Sequence, residues 1–165
     1  MATPTYTLID STVLGSAASS VTFSSITQDY RDLVLVMNAK TTIASNDATR
    51  IQINGDTGSN YFGVMMYGNG SSTGSTSFSS RGYWYVEELT GGPSLNDSIW
   101  IAQFLDYSAT DKHKTMLYRW NEASVNVEAG AKRWASTSAI TSISLDPEAY
   151  DFAAGSTFYL YGIEA

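Results

Sequence analysis

An all-β domain, an antiparallel and jelly-roll-like β-sandwich with little or no helix, is the fold class that this 165-residue chain predicts. Three observations carry the prediction. Charged residues make up only 15% of the chain against 43% hydrophobic, where an ordinary domain holds about 25% charged; 41 Ser and Thr fill the deficit. Few Lys and Glu, with many Thr, Tyr and Val and 13 Gly, suit pleated, half-buried surfaces joined by turns rather than helices. Short runs rich in β-branched and aromatic residues recur between clusters of Gly, Ser, Asn and Asp, the spacing of a sandwich or barrel. The length fits one domain, residues 1–165, with a single core.

About ten strands are predicted along the chain. The first covers residues 6–14 and leads through Gly15-Ser16-Ala17-Ala18 into residues 21–23. Residues 31–37 form the clearest strand, with Leu33, Leu35 and Met37 on one side and Val34 and Val36 on the other. A central strand covered on both faces is expected there. Residues 50–53 end in the turn Asn54-Gly55-Asp56-Thr57-Gly58-Ser59-Asn60, where Gly supplies cheap positive φ and Asp and Asn bond the local backbone. Residues 61–67 resume an extended pattern. Residues 68–80, almost wholly Gly, Ser, Thr and Asn around a lone Phe78, predict a mobile exposed loop.

Residues 82–88 and 98–105 bracket the turn signal Gly91-Gly92-Pro93, and residues 115–120 and 125–134 add two more extended segments. In residues 139–145, Thr141, Ile143 and Leu145 share a face before Pro147 stops the run. The last strand, residues 157–163, sets Phe158 and Leu160 opposite Tyr159, Tyr161 and Ile163. No window keeps helical periodicity, so a helix is at most one turn, in residues 147–152.

A net charge of −7 repels phosphate-lined partners. The basic pairs Lys112 and Lys114 around His113, and Lys132 beside Arg133, are too short to override it, so nucleic-acid binding is not expected. Without Cys the fold relies on burial and strand pairing. Residues 1–12 lack a basic segment followed by an apolar run, and no stretch approaches the ~18 apolar residues of a membrane span, so no membrane insertion is expected.

Chemistry has few candidates. One His and no Cys leave little that titrates near neutrality, and no enzyme activity and no cofactor are expected. Gly70-Ser71-Ser72-Thr73-Gly74 lies in low-complexity sequence rather than at a strand-to-helix turn that would expose a nucleophile. The Gly-rich segment 68–74 also lacks the Lys and Ser/Thr ending of a phosphate cradle. Glu87, Glu88, Asp106 and Asp111 are types that a glycosidase pair uses, but on an acidic domain they are read as solvated surface. Asp56 to Asn60 offers oxygen ligands without the spacing of a calcium loop, so a plain turn is preferred over an ion site and no metal is expected. The cluster singled out is Tyr83-Trp84-Tyr85. Alternation sends Trp84 to the face opposite its two Tyr neighbours, so the trio either fills both sides of a central strand or offers rings to a sugar or a protein partner.

Several stretches together resemble the small virion proteins of tailed bacteriophages, marine and cyanobacterial ones among them. They are Tyr6-Thr7-Leu8-Ile9, Ala18-Ser19-Ser20-Val21-Thr22-Phe23-Ser24-Ser25-Ile26 and Tyr30-Arg31-Asp32-Leu33-Val34-Leu35. The others are residues 53–61, Ala139-Ile140-Thr141-Ser142-Ile143-Ser144-Leu145 and Gly155-Ser156-Thr157-Phe158-Tyr159-Leu160-Tyr161-Gly162-Ile163. The resemblance implies a β-sandwich structural component of the particle, a decoration or fibre-associated protein made in the host cytoplasm and carried on the virion exterior. Its implied partners are the major capsid protein or other virion proteins, and its implied state is a homo-oligomer, most readily a closed trimer. Residues 68–92 and 106–134 fall outside the resemblance and are the stretches expected to meet a partner. A fibre protein needs a shaft and an attachment segment besides its tip, so spending the chain on one domain favours capsid decoration or cement. The alternative is a tail-fibre or tail-tip module that recognises host surface carbohydrate.

Overall fold

In the computed structural model, which describes residues 5–43, 47–86, 98–122 and 127–164, the described residues form twelve strands and no helix. In chain order these are β1 (Tyr6–Val13), β2 (Val21–Phe23), β3 (Asp32–Ala39), β4 (Thr49–Ile53), β5 (Tyr61–Gly68) and β6 (Thr73–Arg81). They continue as β7 (Trp84–Val86), β8 (Ser98–Leu105), β9 (Lys114–Glu122), β10 (Val127–Trp134), β11 (Ile143–Pro147) and β12 (Thr157–Ile163). Antiparallel pairing sorts them into an eight-stranded sheet, β1-β12-β3-β8-β9-β10-β5-β6, and a four-stranded sheet, β2-β11-β4-β7. The β-sandwich expected from the sequence is thus present, with sheets of unequal width.

Period-two alternation builds the core between the sheets. Leu33, Leu35 and Met37 of β3, Trp100 and Phe104 of β8, and Phe158 and Leu160 of β12 point inward from the large sheet. Ile51, Ile53, Trp84, Ile143 and Leu145 meet them from the small sheet, all wholly buried. Val34 and Val36 were expected to be covered as well, but they lie half-buried on the outer side of the large sheet, because an antiparallel sheet packs one face on the core and leaves the other toward solvent.

The expected loop at residues 68–80 is corrected. After a tight turn at Asn69 the chain returns as β6, nine residues paired with β5 at the end of the large sheet. Its Ser, Thr and Gly hide the alternation because an edge strand buries little, yet Phe78 turns inward over Gly63, where an added Cβ would lie 2.6 Å from the ring. At the opposite edge, the pairing of β1 with β12 shifts register between Leu8 and Asp10, a bulge that leaves Asp10 exposed. The possible helical turn at residues 147–152 is also corrected: those residues are the end of β11, bends and an isolated bridge of Phe152 to Ala18 and Thr41. Gly91-Gly92-Pro93, Glu87 and Glu88 lie outside the described residues.

Candidate binding faces

The Tyr83-Trp84-Tyr85 trio divides as alternation requires. Trp84 is 0% exposed, edge-on to Tyr61 at 5.4 Å and tilted against Phe104 at 6.3 Å. As a contact residue Trp84 is therefore corrected: β7 pairs with β4, and its inward position points straight into the core. Tyr83 and Tyr85 remain half-buried on the outside of the small sheet. Their rings meet edge-to-face at 4.8 Å, their hydroxyls lie 3.0 Å apart, and the Tyr85 hydroxyl donates to Glu148 Oε1 at 2.5 Å. Burial, then the bonds to Glu148 and Tyr83, push the Tyr85 phenol above its usual range. The Arg50 guanidinium lies 5.4 Å from the Tyr83 ring centre and Arg81 lies 5.2 Å from that of Tyr85, while Arg50 Nε also donates to Asp146 at 2.8 Å. The cluster is filled by its own cations and carboxylates rather than held open as a stacking platform.

The turn at Asp56 to Asn60 is built around its first carboxylate. Oδ1 accepts the Gly58 amide at 2.8 Å; Oδ2 accepts Asn60 Nδ2 at 2.9 Å and the Trp134 indole at 2.7 Å. Partial desolvation pushes the Asp56 carboxyl up, but the bonds from Trp134, Asn60 and Gly58 together outweigh it and hold the group below the usual range. Both oxygens are thus engaged by protein donors, as a structural turn requires. A carboxyl with a depressed folded-state pKa stabilises the fold at pH above its unfolded value and loses that contribution as pH falls through the folded one. Asp56→Asn is expected to lower stability at neutral pH and to flatten its decline on acidification, a difference read from urea midpoints across pH 2 to 7.

Among the described residues that a nucleophilic site would need, the Ser-rich segment and His113 stand in different connections. The Ser72 amide and hydroxyl both donate to Asn69 Oδ1 in the hairpin between β5 and β6, which joins strand to strand. His113 is exposed in the connection from β8 to β9, where Lys112 Nζ reaches Asp106 at 3.0 Å. The two basic pairs are split: Lys114 and Lys132 are buried, and Lys132 sits over the Phe78 and Tyr118 rings at 5.0 and 4.7 Å.

What sequence reading missed is the outer face of the large sheet. Pairing register aligns outward residues into rungs that cross all eight strands. One rung runs from Leu8 through Tyr161, Val34, Gln103, Leu117, Ala131 and Val64 to Ser77. The next carries Tyr159, Val36, Ile101, Arg119, Ala129 and Met66, and the third Asn38, Ile99, Asn121 and Val127. Leu117 is 46% exposed, Val64 56% and Met66 65%. Arg119 is the one charge in these rungs, and among the described residues no carboxylate pairs with it. Shallow grooves lie along the face: about 310 Å³ bounded by Tyr6, Val34, Leu117 and Arg119, and about 690 Å³ bounded by Met66, Thr73, Ser75 and Val127.

No family model matches this chain, and no curated protein matches it. Among solved structures, galectin LEC-6 of Caenorhabditis elegans is similar over 100% of this chain and 99% of its own, at 11% identity and a TM-score of 0.40. Alginate lyase Aly36B is similar over 94% of this chain and 81% of its own, at 5% identity and a TM-score of 0.35. The protein of unknown function SO2946 from Shewanella oneidensis MR-1 follows at 11% identity and a TM-score of 0.23, over 100% of this chain and 78% of its own. These are distant likenesses, and they assign neither ligand nor activity to this chain.

Proposed function

We propose that this chain is a non-catalytic docking protein that seats the outer face of its eight-stranded sheet on another protein surface. The observation that carries the reading is the makeup of that face. Interface cores are enriched in Tyr, Met and Arg and depleted in Lys, Glu and Asp. The three rungs hold Tyr159, Tyr161, Met66 and Arg119 with β-branched aliphatics, and no Lys, Glu or Asp. Eight strands spaced ~4.8 Å apart, over three rungs, span about 760 Å², close to the ~800 Å² per partner of a standard interface. The aliphatic centre, with its tyrosines gathered at the β1 and β12 side, suits an apolar protein surface better than a sugar ring. Arg119 calls for a carboxylate on the partner.

Joined to the resemblance to phage virion proteins, the surface that fits is the outside of an assembled tailed-phage shell, with this chain as a decoration or cement protein. Electron microscopy of purified particles labelled with an antibody to this chain tests the assignment. A regular array over the head is the expected result. Label confined to the distal tail would replace decoration with a fibre role, and unlabelled particles would remove the virion assignment while leaving the docking face to be matched to another protein.

A further inference from the structure

The eight-stranded sheet ends in two edges, and they are built differently. β1 carries the bulge between Leu8 and Asp10 and an exposed carboxylate, two devices that obstruct pairing with another strand. β6 has neither. From Thr73 to Phe78 it runs in unbroken register against β5, and its nine residues include no Pro, Lys, Asp or Glu. Its one charge, Arg81, stands beyond the register shift opposite residues 61–63. Among the described residues no strand lies on its far side, so alternate peptide groups point away from the sheet.

Strand addition gains affinity from main-chain hydrogen bonds and specificity from pockets for alternate side chains. Along β6 the described residues facing outward are Thr73, Ser75 and Ser77, which supply hydroxyls rather than such pockets. A strand that matches such an edge is the same edge in another molecule. We infer that β6 pairs antiparallel with β6 of a second copy about a two-fold axis, joining the two large sheets edge to edge. When both outer faces stay on one side, Thr76 lies on the axis and Ser75 of each copy faces Ser77 of the other, hydroxyl to hydroxyl, with no like charges opposed. The groove of about 690 Å³ that crosses from β10 over β5 to β6, bounded by Val127, Met66, Thr73 and Ser75, reaches this edge. A second copy laid on the outer face itself would offer Arg119 no carboxylate from its three rungs, which disfavours that arrangement. The symmetry is two-fold, in place of the closed trimer that the resemblance implies.

Sedimentation velocity of the full chain from low to high micromolar concentration tests the pairing. A dimer is expected. The variant Ser75→Lys with Ser77→Lys, which sets lysines opposite one another, is expected to sediment as a monomer with unchanged far-UV circular dichroism. Mixing it with the Ser75→Glu and Ser77→Glu variant is expected to restore the dimer. Amide exchange across residues 73–78 of the unaltered chain is expected to slow as concentration rises, with β1 unaffected. A monomeric chain whose particle binding is lost on the lysine changes would make a foreign strand the occupant and overturn self-pairing. So would a dimer that survives the lysine variant, or one broken by Leu117→Asp instead.

Discussion

Trp84→Ala is expected to destabilise the fold by about 3–5 kcal/mol, the usual cost of deleting a large aromatic from a packed core. The side chain has no exposed surface and touches aromatic rings from two directions, Tyr61 and Phe104. Domains of this size hold roughly 5–15 kcal/mol in total, so the loss takes a large share of the stability. Trp84→Phe is expected to cost under about 1.5 kcal/mol, because it keeps most of the volume. It also removes an indole N–H that has no acceptor among the described residues. Urea unfolding at unchanged slope measures both. A loss under ~1 kcal/mol for the Ala variant would mean that β7 is not packed against the large sheet as described.

Leu117→Asp is expected to cost about 1–2 kcal/mol of stability, from poor strand propensity and lost apolar cover, and to weaken docking by about 30- to 1,000-fold, the ~2–4 kcal/mol of a central hot spot. Leu117 lies mid-rung between Gln103 and Ala131 and faces outward, so an Asp there is solvated in the free chain and buried without a partner in the complex. Arg119→Ala is expected to reduce binding less at high salt than at low salt, since its part is charge pairing. Titration of the variants onto isolated shells, with unfolding midpoints measured in parallel, separates docking from folding. If Leu117→Asp binds shells as tightly as the unaltered chain, the outer sheet face is not the docking surface.

Much of the fold was legible because the buried strands carry strong alternation. In residues 98–105 and 157–163 the expected strands coincide with β8 and β12, whose inward Trp100, Phe104, Phe158 and Leu160 mark the core face. β6 was not legible, because Ser and Thr on a solvated edge give no contrast between faces, and its single inward aromatic, Phe78, looked like an isolated residue in a loop. The Tyr83-Trp84-Tyr85 trio was readable as a division between faces, but not that Arg50 and Arg81 occupy the outer rings, since those cations come from other strands. The proposed docking face was invisible for a different reason. Each strand contributes only two or three of its residues, and register alone aligns Val34, Leu117 and Val64 across the sheet. Even so, Leu117, Arg119, Ala129 and Ala131 fall in residues 106–134, one of the stretches the resemblance leaves unmatched.

The last two strands complete both sheets: β11 lies between β2 and β4, and β12 lies between β1 and β3. During synthesis β2 gains its sheet neighbour only once residues 143–145 have been made, and β1 only once residues 157–163 have. Such long-range closure makes for slow folding and a late, cooperative commitment. Truncation within β12 is therefore expected to leave β1 and β3 without the strand between them and to give an aggregation-prone product rather than a smaller folded one.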